Sequence, residues 1–276
     1  MDQLLAHPAV QAGVAPFLAA LLVAAPLRRG RLLGLAIAAG FLVVVVLTIG
    51  LSFESLTSTR KLVLVGFAAA IGASGIELAA RASSRPLRGA LAAAVAVSAV
   101  WVVLRILQQK EIGTALLWGA AAAVYLSALT ESALQAGDDG VRASATGLAL
   151  GLGTGGLALL GASALMAQIG IAIGAAAGAT LLVQMLSGTR AQPGWTLALL
   201  AAVVCGLACL IAVFTGALPW YCLLPTLATP WATRLVPPGT RPLWLTSIFN
   251  AVVALIPMLL AVGLAWFTAG ASPPAA

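Results

Sequence analysis

Long apolar blocks alternate with short polar segments along the whole chain, and most blocks are about as long as one membrane crossing. The longest lies between Arg142 and Arg190, where 47 consecutive positions carry no ionisable side chain. A transmembrane helix needs roughly 20 apolar residues, so this block predicts two crossings. Reading the rest of the chain in the same way predicts ten spans, at 9–26, 31–52, 61–80, 88–107, 112–134, 143–163, 166–187, 195–216, 218–234 and 243–268.

Prolines interrupt the segment 218–234 more often than any other predicted span. Pro219, Pro225 and Pro230 lie within it, and each internal proline removes a helical hydrogen bond. A broken or re-entrant segment at this place would reduce the number of crossings to nine.

Composition supports a fold that has lipid as its solvent. Hydrophobic residues make up 62% of the chain and charged residues 8%, whereas a soluble domain carries about 25% charged residues. Backbone groups in lipid must pair within the protein, which leaves helices or a closed barrel. The apolar blocks are continuous and do not alternate as barrel strands do. The sequence therefore predicts an all-α, polytopic integral membrane helical bundle that forms a single membrane domain over 1–276.

The basic residues predict how the chain is threaded. With the N-terminus outside, inner loops hold ten of the fourteen basic residues: Arg28, Arg29, Arg31, Arg81, Arg85, Arg88, Arg142, Arg190, Arg234 and Arg241. Outer loops hold the other four, Arg60, Lys61, Arg105 and Lys110. An excess of basic residues marks the cytoplasmic side, so both termini are predicted outside. Because the first arginines follow the first apolar block, we expect a retained helix and not a cleaved signal peptide. The bias toward Ala, Leu and Arg is typical of GC-rich bacteria, which predicts the bacterial cytoplasmic (inner) membrane.

Two halves, 1–137 and 141–276, can be proposed within this domain. They are joined by a polar linker at 135–140. Five spans per half would give the halves opposite orientations, as in the inverted repeats of many transporters. Any correctly threaded chain of ten spans would show the same contrast in loop charge, so a simple succession of helices stays open as the alternative.

Glycines recur every four residues on two consecutive spans. One row comprises Gly147, Gly151 and Gly155, and the other comprises Gly170, Gly174 and Gly178. Glycines at this spacing let helices approach closely. The favoured interpretation is a tight hairpin of spans six and seven. A homodimer contact and a sliding surface in a transporter are the alternatives.

A candidate substrate site lies in the last two spans. Span ten contains Asn250, about 12 Å into the membrane if its helix begins near Pro242. The proline-broken span nine contributes Thr226 and Thr229. A broken helix beside a polar side chain at mid-depth is where transporters often bind substrate. The structural alternative is that Asn250 pairs with a backbone carbonyl freed by Pro225 or Pro257.

Two glutamates fall near predicted span ends. Glu131, near the inner end of span five, has polar neighbours such as Tyr125 and Thr130, and it is a candidate proton or cation site if it reaches the cavity. Glu77 lies about 24 Å along a helix after Lys61. We expect Glu77 at the far water boundary, with Arg81 as its ion-pair partner one turn later.

Motifs for chemistry are absent from the sequence. It has no phosphate loop, no H-E-x-x-H and no nucleophile elbow. Its single histidine and three cysteines do not suggest a metal or haem site, so we expect no cofactor. These absences favour a protein that is not an enzyme.

The leading hypothesis is a permease or transporter-like protein for a small solute, uncharged, amphipathic or weakly ionic. The rival is a non-catalytic membrane subunit or scaffold of an envelope complex. A third hypothesis, an enzyme for lipid-linked substrates, would use Glu131, Asp138, Asp139 and Arg142. Expected partners are the lipid bilayer and either a second copy of the chain or another membrane protein. Nucleic acid is not expected, because the basic residues are scattered over loops.

Overall fold

The computed structural model describes residues 7–28, 31–50, 56–79, 85–161, 163–191, 194–237 and 242–271. This part of the chain contains ten α-helices and no strand. They are α1 (Ala15–Leu27), α2 (Leu35–Thr48), α3 (Ser58–Ala79), α4 (Arg85–Leu107), α5 (Ile112–Ala136), α6 (Gly140–Leu160), α7 (Ala164–Ser187), α8 (Trp195–Phe214), α9 (Leu223–Ala232) and α10 (Leu243–Ala271). The prediction of an all-α helical bundle is confirmed.

Eight of the helices are long and apolar enough to cross a membrane, once the π-helical turn Val10–Val14 is counted with α1. The other two are α2 and α9. A 3₁₀ turn, Arg31–Gly34, precedes α2, and the apolar helical stretch there covers Leu32–Thr48.

Helix α9 is the proline-rich segment, and it has only ten residues. A 3₁₀ turn lies at each of its ends, Trp220–Cys222 before it and Thr233–Leu235 after it. Because a 3₁₀ turn rises about 2 Å per residue, the combined segment is about 27 Å long, close to the ~30 Å thickness of the hydrocarbon core. The segment therefore nearly matches one crossing although the α-helix alone does not.

Helix α8 forms the centre of the bundle. All twenty of its residues are buried. It packs most extensively against α3, α5 and α6. Its small residues allow this: at Gly206, for example, a Cβ atom would collide with the side chains of Leu126 and Leu129 on α5.

Helices α6 and α7 form the most closely packed pair. A Cβ atom at Gly151 would overlap the backbone of Gly174, and one at Gly170 would lie 2.7 Å from the backbone nitrogen of Gly155. Here backbone meets backbone, so no side chain can move aside.

One end of the bundle carries a dense set of charged side chains, and we call it the basic end. It comprises the end of α5, the starts of α4 and α6, the α7–α8 connection and the turn after α9. Backbone bonds tie these connections together, since Gly140 N donates to Ala191 O and Gly194 N donates to Gly137 O. At the opposite end, Lys61 of α3 is 7% exposed, and its Nζ donates to Trp101 O of α4 at 3.0 Å.

Candidate functional site

Buried polar side chains cluster where α6, α9 and α10 pack together. Helix α9 contacts α5, α6 and α10, and α10 packs along α6. We call five of these side chains the polar seam: Thr146 on α6, Thr226 and Thr229 on α9, and Ser247 and Asn250 on α10. All five are buried.

Asn250 has one polar atom satisfied and one unsatisfied. Its Nδ2 donates to Thr246 O at 2.8 Å, one turn earlier on the same helix. Its Oδ1 has no hydrogen-bond partner among the described residues. The acceptor of Nδ2 is neither Val253 O nor Tyr221 O, the carbonyls that Pro257 and Pro225 would free. Asn250 thus keeps a free acceptor inside the bundle.

Two further seam oxygens are unpaired within the described chain, Thr146 Oγ1 and Ser247 Oγ. Thr146 lies six residues after the start of α6 and Asn250 seven residues after the start of α10. These positions are about 9 Å and about 10 Å along their helices. The two helices run side by side, because Gly153 of α6 meets Met258 and Gly156 meets Val262. The free oxygens therefore lie at similar depth on neighbouring helices.

Thr226 and Thr229 are better satisfied. Thr226 Oγ1 donates to Leu223 O at 2.7 Å and lies 2.7 Å from the hydroxyl of Tyr125 on α5. Thr229 Oγ1 donates to Pro225 O at 3.4 Å. The structure thus places three of the sequence-predicted residues, Thr226, Thr229 and Asn250, on two helices in direct contact.

Tyr125 also lines an apolar groove outside the seam. The groove has a volume of about 490 Å³ between α5, the end of α8 and the start of α9. Trp118 and Phe214 form an edge-to-face pair on its wall, with ring centroids 5.1 Å apart. The Tyr125 hydroxyl and its partner Thr226 therefore join an apolar surface to the polar seam.

Glu131 lies in a different place, in a charged cavity at the basic end. This cavity, of about 450 Å³, is lined by Arg85, Arg88, Glu131, Gln135, Asp138, Arg142 and Arg234. Glu131 Oε1 accepts from Gln135 Nε2 at 2.8 Å and lies 3.9 Å from Arg88 Nε. The structure does not bring Glu131 to the polar seam.

Three of the four cavity arginines are held by hydrogen bonds within the described chain. Arg88 Nη1 donates to Asp138 Oδ2 at 3.2 Å, Arg142 Nη2 to Val236 O at 3.0 Å and Arg234 Nη2 to Ser132 O at 3.1 Å. Four arginines and only two carboxylates line the cavity. The cavity therefore concentrates positive charge.

Glu77 is a polar residue whose role the sequence did not reveal. It was expected at the water boundary, but it is 1% exposed. Its carboxylate accepts from the Thr196 backbone N–H at 2.9 Å and from Thr196 Oγ1 at 2.7 Å. A carboxylate at a helix N-terminus is favourable because that end carries partial positive charge. The expected partner Arg81 lies outside the described residues.

The length and apolar composition of eight of these helices define a multi-pass helical membrane protein. No protein-family model, curated protein or solved structure matches the chain.

Proposed function

We propose that this protein moves a small solute with hydrogen-bonding groups across the membrane, through the polar seam. The polar seam would hold the polar part of the solute, and the apolar groove beside Tyr125 would accommodate an apolar part. Transport of a small amphipathic molecule fits this pairing of surfaces.

The observation that carries the proposal is the set of unpaired oxygens on α6 and α10. Asn250 Oδ1, Thr146 Oγ1 and Ser247 Oγ are buried without a partner among the described residues. A polar group buried without a hydrogen bond costs several kcal/mol, and most buried polar groups in proteins are paired. A bound solute, or the water that replaces it, would supply the missing partners.

Orientation is part of the same proposal. The basic end faces the cytoplasm of a bacterial cell, since most of the basic residues that the structure describes lie there and inner loops are enriched in such residues. Both termini then lie outside the cytoplasmic membrane.

Light scattering from proteoliposomes tests the proposal with three chemically different solutes. Vesicles containing the protein are mixed with isosmotic propane-1,2-diol, propionamide or lactate, and swelling reports solute entry. We expect at least one solute to enter faster than in protein-free vesicles. Asn250→Ala removes the seam acceptor, and the loss of one hydrogen bond corresponds to about a tenfold lower protein-dependent rate.

Ser98→Ala is the matched control. Ser98 is half-buried and lies outside the polar seam, and its hydroxyl donates to Ala94 O within α4, so this variant should retain the wild-type rate. Equal rates in vesicles with and without protein for all three solutes would refute the proposal, and an unchanged rate in Asn250→Ala would remove the seam from it.

The rival hypothesis of a scaffold subunit receives less support. Glycine rows exposed on the surface would have favoured it. The glycines of α6 and α7 instead face each other within one chain, as at Gly151 and Gly174.

A further inference from the structure

The charged cavity at the basic end is separate from the polar seam. Charged side chains line most of it, whereas the side chains of the seam are polar but uncharged. Its lining contains four guanidinium groups, those of Arg85, Arg88, Arg142 and Arg234, and two carboxylates, those of Glu131 and Asp138. The lining therefore carries two excess positive charges, which a doubly charged anion would neutralise.

The two carboxylates already have donors. Glu131 Oε1 accepts from Gln135, and Asp138 accepts from Arg88 and, at 3.1 Å, from Trp195 Nε1. Glu131 Oε2 is buried without a donor in the described chain, but one free oxygen among four guanidinium groups is a poor ligand set for a cation. Glu131 Oε1 also lies 3.9 Å from Arg88 Nε, which is beyond hydrogen-bond distance, so that donor is left for a ligand.

The arginines, in contrast, keep donors to spare. A guanidinium has five N–H donors, and the contacts of Arg88, Arg142 and Arg234 described above use few of them. Arg88 Nε is buried and has no hydrogen-bond partner within the described chain. Arg88 is held by Asp138, and Arg234 lies over the ring of Trp231, 4.1 Å from its centroid. The donors are thus fixed in position before any ligand arrives.

We propose that this cavity binds a phosphate group. Guanidinium groups pair with phosphate oxygens through two parallel hydrogen bonds, and arginine is enriched wherever phosphate is recognised in this way. A phosphate monoester carries close to two negative charges at neutral pH, which matches the excess charge of the lining. The volume of about 450 Å³ holds a phosphate with part of the molecule that carries it.

Two sources could supply this group. The cavity opens at the basic end, where the headgroup of an anionic lipid or a soluble phosphorylated compound can reach it. The chemistry of recognition is the same for both. The proposal does not depend on the transport function, because no residue of the polar seam lines the cavity.

Two binding measurements on the purified full-length protein in detergent test it. In the first, inorganic phosphate is titrated by calorimetry against sodium chloride of equal ionic strength. In the second, native mass spectrometry compares the retention of dioleoyl phosphatidic acid with that of dioleoyl phosphatidylcholine. We expect saturable phosphate binding, preferential retention of phosphatidic acid, or both.

The variants Arg88→Gln and Arg85→Gln probe the site, and Arg105→Gln is the control because it changes a charge at the opposite end of the same helix. We expect each cavity variant to weaken binding about tenfold and the control to leave it unchanged. Arg85 is exposed at the start of α4, so its variant should fold even if Arg88→Gln does not.

The outcomes separate the two sources. Binding of phosphate that depends on Arg85 or Arg88 supports a soluble ligand, and retention of phosphatidic acid alone supports a lipid headgroup. Binding of neither probe, or equal loss of binding in Arg105→Gln, would overturn the proposal. Each of these outcomes can occur whether or not Asn250→Ala alters solute entry, so the two proposals fail independently.

Discussion

Glu77 illustrates how a single charged side chain can be stable inside a membrane protein. Its carboxylate satisfies two donors of one residue, the backbone N–H and the hydroxyl of Thr196. Trp195, one residue earlier, donates from its indole to Asp138. Two acidic residues therefore hold the first turn of α8 in place, and that turn leads directly into the centre of the bundle.

Glu77→Ala should destabilise the protein by about 2 kcal/mol, because it leaves the buried Thr196 N–H without its acceptor. Thermal unfolding in detergent, followed by tryptophan fluorescence, measures the change. Glu111→Ala is the matched control, since Glu111 precedes α5 and its side chain makes no capping bond. A melting temperature of Glu77→Ala equal to that of the control would show that the cap does not contribute.

Sequence reasoning could identify these polar residues but not their partners. Glu77 and Thr196 are 119 positions apart, and Tyr125 and Thr226 are 101 positions apart. Nothing local in the sequence encodes such a pairing. The sequence does indicate Asn250, because a polar side chain in the middle of an apolar helix stands out even when its partners are unknown. Its free Oδ1, however, became apparent only from the packed structure.

At the scale of helices, the close contact between α6 and α7 depends on the absence of side chains at the glycines that face each other. Around Gly151 the nearest atoms belong to the backbone of Gly174 and Gly170. Backbone cannot change rotamer, so an added methyl group can be accommodated only if the helices separate. Dispersion contacts along the whole pair would then weaken.

Gly151→Ala should lower the free energy of unfolding by about 1–3 kcal/mol, the usual range for overpacking. Gly72→Ala provides the comparison, because a Cβ atom at Gly72 of α3 would meet nothing within 4 Å and alanine favours a helix over glycine. Thermal unfolding of both variants under identical conditions measures the difference. If Gly72→Ala were the less stable of the two variants, the close contact between α6 and α7 would not explain the destabilisation expected for Gly151→Ala.

The positions of the helices along the chain can be predicted from the sequence, but whether each helix faces lipid or other helices cannot. Hydropathy and length alone place the apolar blocks, because lipid admits little else. They do not show which helices are enclosed: α8, the most apolar of the eight candidate spans, is fully buried, but α6, the least apolar of them, is mostly buried as well. Lipid and protein interior are equally apolar, so no hydrophobic pattern separates a helix that faces one from a helix that faces the other.

At the scale of the whole molecule, charged side chains are more numerous at the basic end than at the opposite end of the described chain. The basic end contains the cavity arginines together with the ion pair of Arg190 and Asp139, 3.3 Å apart. At the other end Lys110 stacks over Trp118, with its Nζ 5.8 Å from the ring centroid. This difference supports the proposed threading, with the basic end in the cytoplasm.

Cysteine labelling on intact cells tests the threading. Native Cys205, Cys209 and Cys222 are buried and are replaced by alanine, and one cysteine is then introduced at either end of α4. A membrane-impermeant maleimide should label Gln108→Cys directly but label Arg85→Cys only after the membrane is disrupted. The reverse pattern would place the basic end outside the cell.

The enclosure of α8 also bears on how the molecule is made. Seven helices are synthesised before α8. Among them are α3, α5 and α6, the helices that pack most extensively against α8. A nascent chain that has reached only Ser187 therefore contains the helices that surround α8 but not α8 itself. Helices α3, α5 and α6 must therefore stay loosely associated in the lipid until α8 has been synthesised. Final assembly of the bundle is thus a late event of translation.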